Sequence, residues 1–147
     1  MHAADERTMA LESGLSAFAA KHFSRALQLL TPLAEEGEAD AQYRLAVMYQ
    51  NGLGLVRNEG MALKWMRAAA EQGLGLAQHG LGFMYMEGDC VAQNGAQAVA
   101  WFTRAAEQGL VGSQTTLALL YEEGRVIPKD IEKARAWYRK AGFPEKG

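Results

Sequence analysis

At 147 residues, 49% of them apolar, the chain carries one domain's worth of sequence and enough material for a continuous core. Lys and Arg number 15 against 17 Asp and Glu, a net charge of −2, which argues against nucleic acid as a partner because such binding leaves a basic footprint. No apolar run approaches the roughly 18–20 residues that a membrane helix needs, so no membrane insertion is expected, and the single cysteine, Cys90, rules out an internal disulfide and fits a reducing cytoplasm. The opening stretch, Met1 to Thr8, starts with charges and has no apolar segment behind a basic one; it reads as a fraying end without a signal peptide, and the expected localisation is cytoplasmic.

From about Asp5 to Ala20 the pattern is helical, with Met9, Leu11, Leu15 and Phe18 among alanines. Lys21-His22 makes a tight break. Phe23 to Glu36 is a second helix, since Phe23, Ala26, Leu27, Leu30, Leu33 and Ala34 follow i, i+3, i+4, i+7 spacing. Pro32 sits inside it and predicts a kink or break near Thr31, because an interior proline removes one hydrogen bond and crowds the preceding turn.

Beyond residue 38 the text repeats. Trp65, Trp101 and Trp137 are 36 residues apart, and Leu45/Leu81/Leu117, Tyr49/Tyr85/Tyr121, Gly52/Gly88/Gly124, Ala62/Ala98/Ala134 and Ala69/Ala105/Ala141 share that period. Self-similarity at this length marks a repeat architecture. The first helices of three units are expected at Ala39–Asn51, Gly75–Glu87 and Val111–Glu123, each followed by glycine and a loop of about six residues with an apolar plug (Leu55, Val91, Ile127). Each loop ends in Asn58, Asn94 or Asp130, whose side-chain oxygens suit the N-cap. Second helices therefore start at Glu59, Gly95 and Ile131 and run to Gln72, Gln108 and about Ala141. The expectation is an all-α chain of eight helices in four antiparallel pairs.

The pairs stack for a simple reason. Ala62, Trp65 and Ala69 share one face of a second helix, and Leu45 and Tyr49 share one face of a first helix. Small alanines allow close approach while Trp and Tyr fill the space beside them. One pair alone cannot cover that face, so a neighbour must. Trp65 and Trp101 are expected inside, with Trp137 partly exposed.

The motif Ala41-Gln42, Leu45-Ala46, Tyr49, Gly52, then Ala62, Trp65, Ala68-Ala69-Ala70-Glu71-Gln72-Gly73, echoed with substitutions in two further units, resembles the Sel1-like repeat, a 36-residue relative of the tetratricopeptide repeat. The resemblance covers residues 39–142. It implies a right-handed α-α solenoid, read here as one helical-repeat domain over 1–147 with units at 38–73, 74–109 and 110–145. Residues 5–37, with Gly14, Phe23 and Ala26, look closer to a tetratricopeptide unit. The family often places a second glycine in the loop; Gly54 keeps it, whereas Cys90 and Val126 replace it. A disulfide-rich branch, whose members are spoken of as penicillin-binding or hydrolase-like, uses paired cysteines that this chain lacks.

Nothing in the residues suggests catalysis. His2, His22 and His79 are far apart and no pair has metal-ligand spacing, while one cysteine excludes a thiolate zinc site. Gly73-Leu74-Gly75 and Gly80-Leu81-Gly82 have neither a preceding strand nor a following lysine, so they are helix-end and close-packing glycines rather than a phosphate loop. Glu35-Glu36, Glu87 and Glu122-Glu123 read as solvated helix ends, and Cys90 as a half-buried loop residue. No catalytic, cofactor or metal site is expected.

The functional signal lies on a second face of the first helices. At 100° per residue, Tyr43, Val47 and Gln50 form a stripe about 60° wide, centred about 120° or more from the core face of Leu45 and Tyr49. Its equivalents are His79, Phe83 and Met86, then Thr115, Leu119 and Glu122, with Leu11, Leu15 and Phe18 in the first unit. Resemblance to tetratricopeptide folds implies that these stripes line a concave groove. Leu15, Phe18, Tyr43, Val47, Gln50, His79, Phe83, Met86, Leu119 and Glu122 are then the candidate contacts for a protein or peptide partner. An alternative reading packs Val47, Phe83 and Leu119 against the next unit. The resemblance implies a non-enzymatic adaptor or scaffold; a second reading is a self-assembling module that stacks as a homo-oligomer through its last helix, around Trp137, Tyr138 and Phe143.

Overall fold

The computed structural model describes residues 3–144. His2 and the expected closing residues Glu145, Lys146 and Gly147 lie outside the described residues. Those described form eight helices and no strand: α1 (Ala3–Ala19), α2 (Phe23–Glu35), α3 (Ala39–Asn51), α4 (Glu59–Glu71), α5 (Gly75–Glu87), α6 (Gly95–Glu107), α7 (Val111–Glu123) and α8 (Ile131–Lys140).

The helix starts follow from capping chemistry. Asn58 Oδ1 accepts the Met61 N–H at 3.0 Å, Asn94 Oδ1 that of Gln97 at 3.0 Å, and Asp130 Oδ1 that of Lys133 at 3.1 Å. Each satisfies an orphan donor of the first turn. At the α1–α2 break Lys21 takes a left-handed conformation (φ 65°), and His22 N–H reaches back to Ala17 O at 2.8 Å.

Two expectations change. Pro32 does not break α2, which runs unbroken from Phe23 to Glu35. The proline is exposed near the last turn, so the helix carbonyl it leaves without a partner, that of Gln28, faces the wet side of the helix. Thr31 stays helical, its Oγ1 donating to Leu27 O at 2.7 Å. At the other end α8 is three residues shorter than α4 and α6, with 10 residues against 13. Gly142 (φ 95°) stands where those helices have Ala70 and Ala106, and it ends the helix early.

The chain divides into two compact units, Met1–Ala77 and Gln78–Gly147, with the division inside α5. In the first, α1 packs on α2, α2 on α3 and α3 on α4. Its core holds Ala26, Leu30 and Leu33 of α2, Leu45, Ala46 and Met48 of α3, and Ala62, Trp65 and Met66 of α4. Gly14 lets α1 approach closely: a Cβ there would lie 2.5 Å from Leu30 Cδ2. In the second unit the core is Met86, Ala98, Phe102, Ala106, Leu117 and Leu120, flanked by Tyr85, Val99, Tyr121, Val126, Ile127 and Trp137. The loop plug at Ile127 thus seals this core.

The tryptophans differ in depth. Trp65 is buried, but Trp101 and Trp137 are half-buried, which corrects the expectation that Trp101 lies inside. A cation covers each ring: Lys64 Nζ at 4.6 Å from the Trp65 centroid, the Arg104 guanidinium at 4.5 Å from Trp101, Lys140 Nζ at 4.6 Å from Trp137. The ring quadrupole attracts the charge, so a long aliphatic stem shields the indole where packing does not.

Candidate protein-interaction site

In the first unit the stripe residues Leu15, Phe18, Tyr43, Val47 and Gln50 are all half-buried. Phe18 meets Phe23 edge-on at 5.6 Å, and the Arg44 guanidinium lies over both Phe18 (5.3 Å) and Tyr43 (5.1 Å). Arg44 thereby bridges aromatic rings of α1 and α3. Arg57 Nε donates to the backbone carbonyl of Gln50 at 2.8 Å.

The second unit differs. Phe83 is 44% exposed and Leu119, its counterpart 36 residues on, is 41% exposed. Beside them His79 is held from three sides. Its Nδ1 lies 2.7 Å from the Oγ of fully buried Ser113, which ties α5 to α7. Its ring sits 5.6 Å from Phe83 and 5.1 Å from Phe102, and Phe83 meets Phe102 edge-on at 6.0 Å. Gly82 permits this stack, since a Cβ there would lie 2.9 Å from the Phe102 ring. Burial pushes the imidazole below its ordinary pKa of 6.5, so His79 is neutral at pH 7.

Other stripe residues are withdrawn from the surface. Met86 is buried in the core with Phe102, Leu117 and Leu120, which corrects its assignment as a partner contact. It lies at the end of α5, where the chain folds back and Gln93 Nε2 donates to Met86 O at 2.9 Å. Glu122 is half-buried and accepts the Tyr138 hydroxyl at 3.1 Å. Tyr138 itself is buried, so of the three residues read as a stacking surface only Phe143 is exposed, with Trp137 half-buried. Thr115 turns its hydroxyl to Val111 O at 2.9 Å.

A feature the periodicity contained without disclosing its role is a glutamine clamp. Gln42, Gln78 and Gln114 share the 36-residue period, as do Gln72 and Gln108, and the first three are buried. Gln42 Nε2 donates to Ala34 O at 3.1 Å, joining α3 to α2, and its Oε1 accepts from Gln72 Nε2 at 2.8 Å. Gln108 Nε2 closes on Gln78 Oε1 at 2.8 Å, and Gln114 Nε2 donates to Ala106 O at 3.1 Å. Gln114 Oε1 has no partner. The residue 36 past Gln108 is Pro144, which carries no amide to give. A polar residue type recurring at buried helix positions was the signal.

Among the described residues no cluster of three or more His, Cys, Asp or Glu side chains could hold a metal ion, and no helix is long and apolar enough to cross a membrane.

Helix pairs joined by capped loops, a fixed period and buried polar clamps between successive helices define an α-helical repeat protein. The Sel1 repeat model matches residues 39–74, 75–110 and 112–142, so the chain belongs to the Sel1 repeat family. Among solved structures it is similar to a Sel1 repeat protein from Oxalobacter formigenes (33% identity, TM-score 0.82, covering 94% of this chain and 54% of that one). It is also similar to c5321, a protective antigen present in uropathogenic Escherichia coli strains that displays an SLR fold (32% identity, TM-score 0.85, 92% of this chain and 30% of that one). The chain thus spans about half of the first structure and under a third of the second. A search of curated proteins returned no match. Sel1 repeat proteins are in general non-catalytic protein-interaction scaffolds.

Proposed function

We propose that the chain is a non-enzymatic protein-interaction module whose second unit receives apolar side chains of a protein or peptide partner on Phe83 and Leu119. The exposure of these two large apolar side chains on adjoining first helices supports this reading. A surface Phe costs solubility, and this one is held in place by His79 and Phe102 rather than left to rotate freely. A fixed aromatic anchor loses little conformational entropy when a partner covers it. His79 adds a neutral polar contact oriented by Ser113.

The test is affinity capture from the native host with wild type and a Phe83→Glu/Leu119→Glu variant, each checked for an unchanged helical circular-dichroism spectrum. The folded double variant is expected to lose its captured partner. Full retention by the folded variant refutes this assignment of the surface.

A further inference from the structure

We propose a second docking site in this unit: a cleft that takes an apolar side chain of an extended acidic peptide, flanked by carboxylates. The cleft measures about 370 Å³, within the range of ligand-sized sites, and lies between α6, the end of α7 and the loop before α8. Val99, Tyr121, Ile127 and Pro128 supply its apolar lining, and Lys129 and Lys133 its cations.

Its shape depends on a close backbone approach. A Cβ on Gly95 would lie 2.0 Å from the Val126 carbonyl oxygen, so only glycine lets the loop rest on the first turn of α6. That contact brings Ile127 and Pro128 alongside Val99 and forms the cleft.

One of its two cations is freed by a change at one repeat position. In the first loop Arg57 donates to Gln50 O at 2.8 Å and pairs with Glu59 at 2.7 Å. In the second, Gln93 donates to Met86 O at 2.9 Å. Lys129 holds the same place, 36 residues past Gln93, and among the described residues it makes no hydrogen bond or ion pair. Lys133 has no carboxylate partner among the described residues; its ammonium rests 5.4 Å from the Tyr121 ring centroid. The one acidic residue of the lining, Asp130, is engaged as the α8 cap. Two ammonium groups, one on a loop and one on a helix, thus border an apolar cleft and outnumber its one carboxylate. An apolar side chain between two carboxylates complements this arrangement, with the acids steering approach and fixing register. The site uses none of the Phe83–Leu119 surface, so either can fail alone.

The experiment is an amide and side-chain NMR titration of the whole chain with acetyl-Glu-Phe-Glu-amide into the millimolar range, with acetyl-Gln-Phe-Gln-amide as control. Expected are saturable shifts at Val99, Tyr121 and Lys133 that weaken in high salt. The neutral peptide should bind roughly fivefold or more weakly, as loss of two surface ion pairs implies. A Lys129→Glu/Lys133→Glu variant should lose the shifts, whereas Phe83→Glu should keep them. Absence of shifts with the acidic peptide, equal binding of the neutral one, shifts elsewhere on the chain, or binding that survives the double lysine variant each overturn the proposal.

Discussion

The two units read nearly the same repeat text but finish it differently. In the first, Gln42 uses both ends of its amide, toward Ala34 and toward Gln72, and the stripe on α3 is half-covered, with Arg44 laid over Tyr43 and Phe18. In the second, Gln114 uses one end only, and the stripe on α5 and α7 leaves Phe83 and Leu119 open. The repeat residues determine which hydrogen bonds the frame can make. The residues between them determine what each unit shows to solvent. Conformity builds the scaffold, and departure from it builds the surface.

Four substitutions would sharpen or break this contrast. The largest effect is expected from Phe102→Ala, which empties the centre of the second core and should cost about 3–5 kcal/mol in denaturant unfolding. Phe83→Ala, one ring away but open to solvent, should cost less than about 1 kcal/mol; similar losses for the two would mean that Phe83 is core after all. Next comes the clamp. Gln42→Met removes two hydrogen bonds, at about 1–2 kcal/mol. Gln114→Met removes one bond and also an unsatisfied buried oxygen, so its cost should be smaller by about 1 kcal/mol. Equal costs would show that the closed clamp adds nothing.

The smallest effect is a pH dependence from His79. Its folded pKa lies below 6.5, so the unfolded chain binds the proton more readily. Stability is therefore complete above about pH 6.5 and declines as pH falls from there toward the folded pKa. Comparing unfolding at neutral and mildly acidic pH for wild type and His79→Gln checks this; the variant should lose that part of the slope. An unchanged slope would remove His79 from the account.

Most of the frame was legible because it rests on local chemistry. Asn58, Asn94 and Asp130 announce helix starts through their cap bonds, and the three first helices fall at the expected residues. Pro32 misled because the rule against interior proline is local, while its exposure near the helix end decides the outcome. Met86 misled for a different reason. A helical wheel gives the direction of a side chain but not what lies across from it, and at the end of α5 the second core closes over that direction. Trp101 shows the converse: the period gives it the same place as Trp65, but packing around the two differs. The cleft beside Lys133 had no sequence signal, since it depends on a loop reaching back to Gly95 across about thirty residues of chain.

Residues 54, 90 and 126 all hold a left-handed backbone, at φ 74°, 65° and 60°, although they are glycine, cysteine and valine. For valine this conformation is costly on its own, about 1–2 kcal/mol, so the bend is imposed from outside the residue. The caps on either side, and the packing of Val126 against the second core, keep the path when the glycine is gone. Each repeat therefore has one place where spelling is decoupled from shape. A thiol stands there in one loop and an isopropyl group in the next, on an unchanged track. Such a site lets neighbouring copies of a duplicated segment acquire separate identities without renegotiating the architecture they share.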